Sequence, residues 1–312
     1  MIFEGSEKKC EVIVDKEKIA LRSIDESFWR TLVSKCNATV LSKISNEHCD
    51  AYLLSESSLF VWDDHFLLIT CGQTTLVDAV LYFLEQKGKD VLKQLIFQRK
   101  NEYFSYMQPT TFFDDVKKLK EHVDGEAFRF GHIDAHHNYL FHMNGEYTPD
   151  KDDKTYELLM YDICPLCIDV LTKENQTKEV LRKFLALDQL IPGFEIDDFV
   201  FTPYGYSLNA LKDDQYLTIH ITPQEESSYI SFEANFNLVE KINIPLEVLR
   251  PGSFDLITFN ADDTKELSKF VPSVYTDKRR VQDELKCGYK VTFTHYYKHV
   301  QETQKPYKIK EL

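Results

Sequence analysis

One hairpin signature that occurs twice, 150 residues apart, constrains this chain more than any other feature. Asp63-Asp64-His65-Phe66-Leu67-Leu68-Ile69-Thr70 is matched by Asp213-Asp214-Gln215-Tyr216-Leu217-Thr218-Ile219-His220. Ser57 and Ser207 each precede their Asp-Asp pair by six residues. Both segments suit a short strand, a tight turn at the aspartates and a return strand. Two such hairpins so far apart point to a chain built from two related halves. If those halves pack face to face, Ser57, Thr70 and Cys71 approach Ser207, His220 and Ile221. Hydroxyl, thiol and imidazole would then meet at one site.

The rest of the pattern is mostly strand. Apolar and polar residues alternate over 10–14, 51–54, 66–70, 128–133, 139–143, 216–222, 229–233 and 289–295, as expected of half-buried antiparallel strands. Helical spacing predicts helices over 26–34, behind Asp25 as N-cap, and over 75–85, 112–121 and 178–185. No βαβ alternation or GxGxxG loop is present, which argues against a doubly wound nucleotide fold. The expectation is an α+β fold of antiparallel sheets with helices on their outer faces. The polar stretches 144–154 and 173–178 are the candidate connections between halves.

Charge and composition exclude several functions. The formal net charge of −14 does not fit nucleic acid as a partner. No run of eighteen apolar residues offers a membrane span, and no basic-then-apolar leader opens the chain. Seven scattered cysteines without export signals are expected to be reduced thiols in a cytoplasmic protein.

From residues alone, Cys71 and His220 could form a thiolate–imidazole pair for nucleophilic attack, as in a cysteine hydrolase, or be a buried hydrophobe and an ordinary strand residue. Cys164-Pro165-Leu166-Cys167 has zinc-type spacing but lacks a second pair, so a helix start is the better reading. His132, His136, His137 and His142 crowd one hairpin. Neighbouring strand residues point to opposite faces, so they read as solvated turn histidines, and no metal site is expected.

The segment Leu54-Ser55-Glu56-Ser57-Ser58-Leu59-Phe60-Val61, followed by Thr70-Cys71-Gly72, closely resembles the self-cleavage and proton-donor region of eukaryotic-type S-adenosylmethionine decarboxylases. The resemblance extends to Phe3-Glu4-Gly5-Ser6-Glu7-Lys8, Pro203-Tyr204-Gly205-Tyr206-Ser207, His220-Ile221-Thr222-Pro223 and Ser231-Phe232-Glu233. It implies that Ser57 attacks the carbonyl of Glu56 and that the resulting ester is eliminated. His220 would act as base and Ser207 would support the rearrangement. The products would be chains 1–56 and 57–312, with a pyruvoyl group at the former Ser57. That group would condense with the substrate amine to a Schiff base and act as electron sink, and Cys71 would return the proton. Glu4 and Glu7 match carboxylates that assist.

The implied substrate is S-adenosylmethionine, with Phe3 and Phe201 as the adenine sandwich and Leu54 and Glu56 beside it. The family's ribose-binding carboxylate falls at Gln224, a neutral amide; Glu225 next to it is a substitute. Glu11, Asp153, Thr155, Glu157 and Glu233 match the acidic cluster that binds putrescine as activator in animal members. Ile69 stands where those members carry a lysine and Gln98 where they carry a serine, so an inward Arg99 or Lys100 is the rival to putrescine. The implied architecture is a four-layer α/β/β/α sandwich, one domain over 1–312, with pseudo-repeat halves of about 1–165 and 166–312. A homodimer of processed units is one assembly the resemblance allows. A non-catalytic regulatory homologue and a pyruvoyl decarboxylase of another amino acid are the alternatives.

Overall fold

The computed structural model describes residues 3–145, 147–261, 269–299 and Pro306. Sixteen strands form two eight-stranded antiparallel sheets. The first contains β1 (Lys8–Val14), β2 (Val40–Ser45), β3 (Asp50–Leu54), β4 (Ser57–Val61), β5 (His65–Thr70), β6 (Leu92–Arg99), β7 (Gly125–Gly131) and β8 (His137–Met143). The second contains β9 (Thr155–Tyr161), β10 (Glu195–Val200), β11 (Tyr206–Lys212), β12 (Gln215–Thr222), β13 (Tyr229–Ala234), β14 (Ser253–Phe259), β15 (Tyr275–Glu284) and β16 (Lys290–Lys298). Their spatial orders, β2-β3-β4-β5-β1-β6-β8-β7 and β10-β11-β12-β13-β9-β14-β16-β15, are the same order offset by eight strands. The fold is therefore an internally duplicated α+β sandwich.

Two details of the sequence reading need correction. The strand Thr155–Tyr161 is the central strand of the second sheet, so the halves divide within 144–154 and not near residue 165. The matched hairpins are also not equivalent. β4–β5 fill the third and fourth places of their sheet, whereas β11–β12 fill the second and third of theirs. An Asp-containing turn between two buried strands dictates a similar local pattern wherever it occurs, so the likeness marks a common hairpin type and not the repeat register.

Helices α1 (Glu26–Lys35), α2 (Leu76–Lys87) and α3 (Phe112–Lys120) accompany the first sheet; α4 (Pro165–Leu171), α5 (Lys178–Phe184), α6 (Leu187–Leu190) and α7 (Asn243–Leu249) accompany the second. Asp25 caps α1 by accepting from the Ser27 N–H, and Thr111 and Asp114 form a capping box on α3. Cys164 is the N-cap residue of α4, with Pro165 in its first turn, which answers the CxxC spacing structurally. No described helix is long and apolar enough to cross a membrane.

Each sheet has an apolar face toward its helices and a mixed face toward the other sheet. Val12, Leu54, Leu59, Phe66, Leu68 and Phe97 pack outward with Trp29, Val80 and Phe83. Leu158, Met160, Leu208, Leu217, Ile219 and Phe232 do the same opposite Leu181, Leu190 and Leu246. Between the sheets, two apolar clusters, one around Ile96, Leu159 and Phe293 and one around Phe60, Ile69 and Tyr216, flank a seam of buried polar groups. That seam holds the chemistry.

Candidate active site

The β3–β4 hairpin turns on two residues, Ser55 and Glu56, with Leu54 paired to Ser57. Tight two-residue turns call for positive φ, which glycine supplies cheaply. Here there is no glycine, and Ser57 carries φ of +127° at the first position of β4. A serine held there stores backbone strain. Ser57 is buried, and its hydroxyl lies 3.6 Å from Cys71 Sγ. The Glu56 carbonyl accepts from the Cys71 N–H at 2.9 Å and from Cys71 Sγ at 3.4 Å. The carbonyl preceding Ser57 thus already faces two donors, the arrangement needed to hold an oxyanion.

The second sheet closes the site. His220 Nδ1 lies 3.1 Å from Ser207 Oγ, and Nε2 lies 2.9 Å from Thr218 Oγ1 and 3.4 Å from Ser58 Oγ. Ser58 in turn donates to Asn209 Oδ1 at 2.6 Å. Burial pushes the His220 pKa down to about 3, so the ring is neutral and one nitrogen keeps its lone pair. Burial, followed by the nearby Glu56, pushes the Cys71 thiol far up, so it stays protonated. Glu56 itself is raised by burial to about 7, against the pull of Lys8. These groups border a cavity of about 350 Å³ that also touches Phe3, Phe201 and Gln224.

Comparison with known proteins identifies the family. Residues 1–297 match the family model described as Adenosylmethionine decarboxylase. The chain belongs to this family. It is 34% identical over 278 residues to the S-adenosylmethionine decarboxylase proenzyme of Leishmania donovani, covering 82% of this chain and 73% of that one. The Xenopus laevis proenzyme is 32% identical over 287 residues, 84% of each chain. The fold matches a crystal structure of the Trypanosoma brucei AdoMetDC-delta26 monomer with a TM-score of 0.60 at 25% identity, over 78% of this chain and 99% of that one.

The other residues expected at an adenosylmethionine decarboxylase site fall in distinct places. Phe3 and Phe201 both line the cavity, and the Phe3 ring packs on Gly72, where an added Cβ would come within 2.7 Å of it. Gln224 does something the sequence does not announce. Its Oε1 accepts the Phe3 N–H at 2.8 Å, and its Nε2 donates to the Phe3 carbonyl at 2.5 Å. Glu225 is exposed beside it. Leu54 points the other way, into the core beneath the helices, and does not border the cavity. Glu4 accepts from the backbone N–H groups of Ser6 and Phe104, and burial raises its pKa. Glu7 is buried, accepts from Ser231 Oγ at 2.6 Å and Tyr229 OH at 3.1 Å, and is raised by burial to about 7.

The acidic cluster splits into two parts. Glu157 and Glu233 are buried and already hold cations. Lys9 Nζ lies 2.9 Å from Glu157 and 2.8 Å from Glu233, and Lys100 Nζ also bonds Glu157. Gln98 completes the knot, donating to Glu157 at 3.1 Å and accepting from Lys100 at 3.0 Å. Lys9 pairs directly with Ile69 across β1 and β5, so the cation missing at Ile69 arrives from the neighbouring strand. Arg99 turns outward to Asp115 and Glu102. Burial opposes the ionised Glu157, but Lys100 and Lys9 outweigh it and hold the carboxyl low. Glu11, Asp153 and Thr155 instead border a separate open cavity of about 540 Å³. Burial raises both carboxyls, and Asp153 accepts from Tyr289.

Sequence reasoning missed Lys9, Asn209, Thr218, Ser58, Tyr229 and Ser231. A signal existed: polar residues at alternate positions of otherwise apolar strands, as in Ser207-x-Asn209, Thr218-x-His220 and Ser231-x-Glu233, mark a buried polar face. The hairpin histidines also differ from expectation. His132 is exposed, but His142 is fully buried between the sheets and His136 reaches Asp255, because this hairpin's inner face packs on the second sheet.

Proposed function

We propose that this chain cuts itself between Glu56 and Ser57 and then decarboxylates S-adenosylmethionine, supplying the aminopropyl donor of polyamine synthesis. The observation that carries this is Ser57 at φ +127°, with the preceding carbonyl held by both donors of Cys71. Strain raises the ground state of the bond to be cut. The Ser57 hydroxyl attacks the Glu56 carbonyl carbon, and the Cys71 N–H stabilises the oxyanion. The C–N bond then breaks, leaving an ester and a free amine on residue 57. His220, kept neutral by burial and held by Ser207 and Thr218, accepts the α-proton. Elimination frees the Glu56 carboxylate, and hydrolysis of the remaining enamine releases ammonia.

A pyruvoyl group at position 57 fits the donors around it: a thiol, an imidazole and a serine hydroxyl, with no lysine among the described residues that border the cavity. When present, its ketone supplies the electron sink for loss of carbon dioxide. Cys71, protonated at neutral pH, is suited to return a proton to the substrate carbon. Phe3 and Phe201 offer faces for the adenine, each base–aromatic contact being worth about 1–3 kcal/mol.

A mass spectrum of the denatured protein tests the first step, with fragments of residues 1–56 and 57–312 expected. An intact chain in a folded sample would overturn it. Release of labelled carbon dioxide from carboxyl-labelled S-adenosylmethionine, against other amino acids, tests the second. Lys9 and Lys100 already neutralise Glu157 and Glu233, so we expect the rate to be insensitive to putrescine. A severalfold stimulation by putrescine would sink that part.

A further inference from the structure

Away from the Ser57 cavity, three ligand-type side chains converge from both halves of the molecule. His136, on the β7–β8 turn of the first sheet, places Nδ1 3.2 Å from Asp255 Oδ2. His295, on β16, places Nδ1 2.7 Å from Asp255 Oδ1. The candidate ligand atoms of the three lie within 4.8 Å of one another, and the two imidazole centroids are 4.4 Å apart. Asp255 and His295 are 1% and 5% exposed, whereas His136 is partly open to solvent. Beside them the Tyr161 hydroxyl is buried next to the Asp255 carboxylate without a well-formed hydrogen bond, and its ring packs 4.3 Å from that of His136.

We propose that His136, Asp255 and His295 form a binding site for a divalent transition metal of zinc type. Two imidazoles and one carboxylate suit zinc and its neighbours, and not calcium or magnesium, which prefer oxygen ligands. Ligands about 2.0–2.2 Å from a tetrahedral ion sit roughly 3.3 Å apart. The His136–Asp255 separation already matches, and the His295–Asp255 contact has to open by about half an ångström. A carboxylate bridging two histidines would suffice as a hydrogen-bonded clamp. The Tyr161 hydroxyl beside Asp255 has no well-formed bond of its own, and a metal-bound water would accept one from it. The partly open His136 provides the way in. Because His136 belongs to one sheet and Asp255 and His295 to the other, the ion would tie the two halves together.

Zinc titration of the purified, metal-stripped protein tests this. The expected result is one saturable equivalent per chain, with a thermal midpoint that rises with zinc concentration. Cobalt(II) in place of zinc should give ligand-field bands without thiolate charge transfer, which separates this site from Cys71 and from Cys164–Cys167. His136→Gln and His295→Gln should each weaken binding at least about tenfold, while the double variant Cys164→Ser, Cys167→Ser should bind as before. His295 is buried and its variant could fail to fold; His136→Gln, on a half-exposed turn, then decides the matter. Absence of stoichiometric zinc, a thiolate signature, or unchanged binding by folded His136→Gln would overturn the proposal.

Discussion

Two polar regions lie between the same two sheets, and they are built on opposite principles. Around Glu157 and Glu233 every charge has a partner: two lysines, one glutamine and the Tyr216 hydroxyl are knotted at hydrogen-bond distance. Around Ser57 the imidazole and the thiol are neutral, the backbone is strained and a cavity opens beside them. Buried charges persist only when paired, because each ion pays a desolvation cost of several kcal/mol. The first region therefore fixes how the sheets meet. The second keeps groups whose protons can move, since nothing locks His220 or Cys71 into an ion pair. The difference suggests that the seam divides its work between holding and reacting.

Removing the reacting side should give the largest effect. Ser57→Ala leaves the fold but removes the attacking oxygen. We expect a full-length chain on denaturing electrophoresis, an unchanged thermal midpoint to within a few degrees, and no detectable carbon dioxide release. Cleavage of that variant at the same bond would show that Ser57 is not the nucleophile.

The opposite experiment breaks the holding side. Lys9→Met strips Glu233 and half of Glu157 of their cation, and leaving a buried charge unpaired costs about 3–5 kcal/mol. Denaturant unfolding should register that loss. A diamine could then enter the vacated space, so the variant, unlike the parent, should be stabilised by millimolar putrescine. Loss of stability without putrescine rescue would keep the pairing argument and remove the idea that lysine and diamine are interchangeable.

How far the sequence made this division legible depends on which face of a strand a residue occupies. The helix-side cores followed from apolar periodicity, as did α1 with its Asp25 cap and the strands at 66–70 and 216–222. The inner faces were harder. Central strands such as β9 are buried on both sides, so their apolar–polar alternation reports the partner sheet and not solvent. Ser57, Cys71, Ser207 and His220 stand out through the two matched hairpins, and the family resemblance supplies their roles. Lys9 was not, because its role depends on pairing opposite Ile69, a register that spacing does not fix. His136 meeting Asp255 joins residues 119 positions apart in different sheets, which no local pattern encodes.

Between the two regions lies Glu7, a carboxyl with neutral partners, Ser231 and Tyr229. Its folded pKa of about 7 stands above the ordinary value of 4.5 because burial disfavours the charge. A raised carboxyl stabilises the fold below its unfolded pKa, and that stability is lost as pH rises through the folded value. Glu7→Gln should therefore gain on the parent between about pH 5 and 8, by up to a few kcal/mol. A difference that stays constant across that range would mean Glu7 is ionised throughout and belongs with the charged region.

Gln224 sharpens the comparison at its finest scale. Its amide both accepts from and donates to the backbone of Phe3, a pairing that a carboxylate cannot make because it has no proton to give. Where the family resemblance implies a charged ribose contact, the amide here holds the residue at the cavity wall. Gln224→Ala should free Phe3 and raise KM for S-adenosylmethionine, with kcat nearly unchanged. The loss of one or two hydrogen bonds, at about 1 kcal/mol each, corresponds to roughly a five- to thirtyfold change. Gln224→Glu separates the two functions. If the ring's position matters more than a ribose carboxylate, the variant is as impaired as Gln224→Ala, because its charge repels the Phe3 carbonyl. If it binds more tightly than the parent, the ribose contact is the stronger of the two, and holding Phe3 is incidental to recognition.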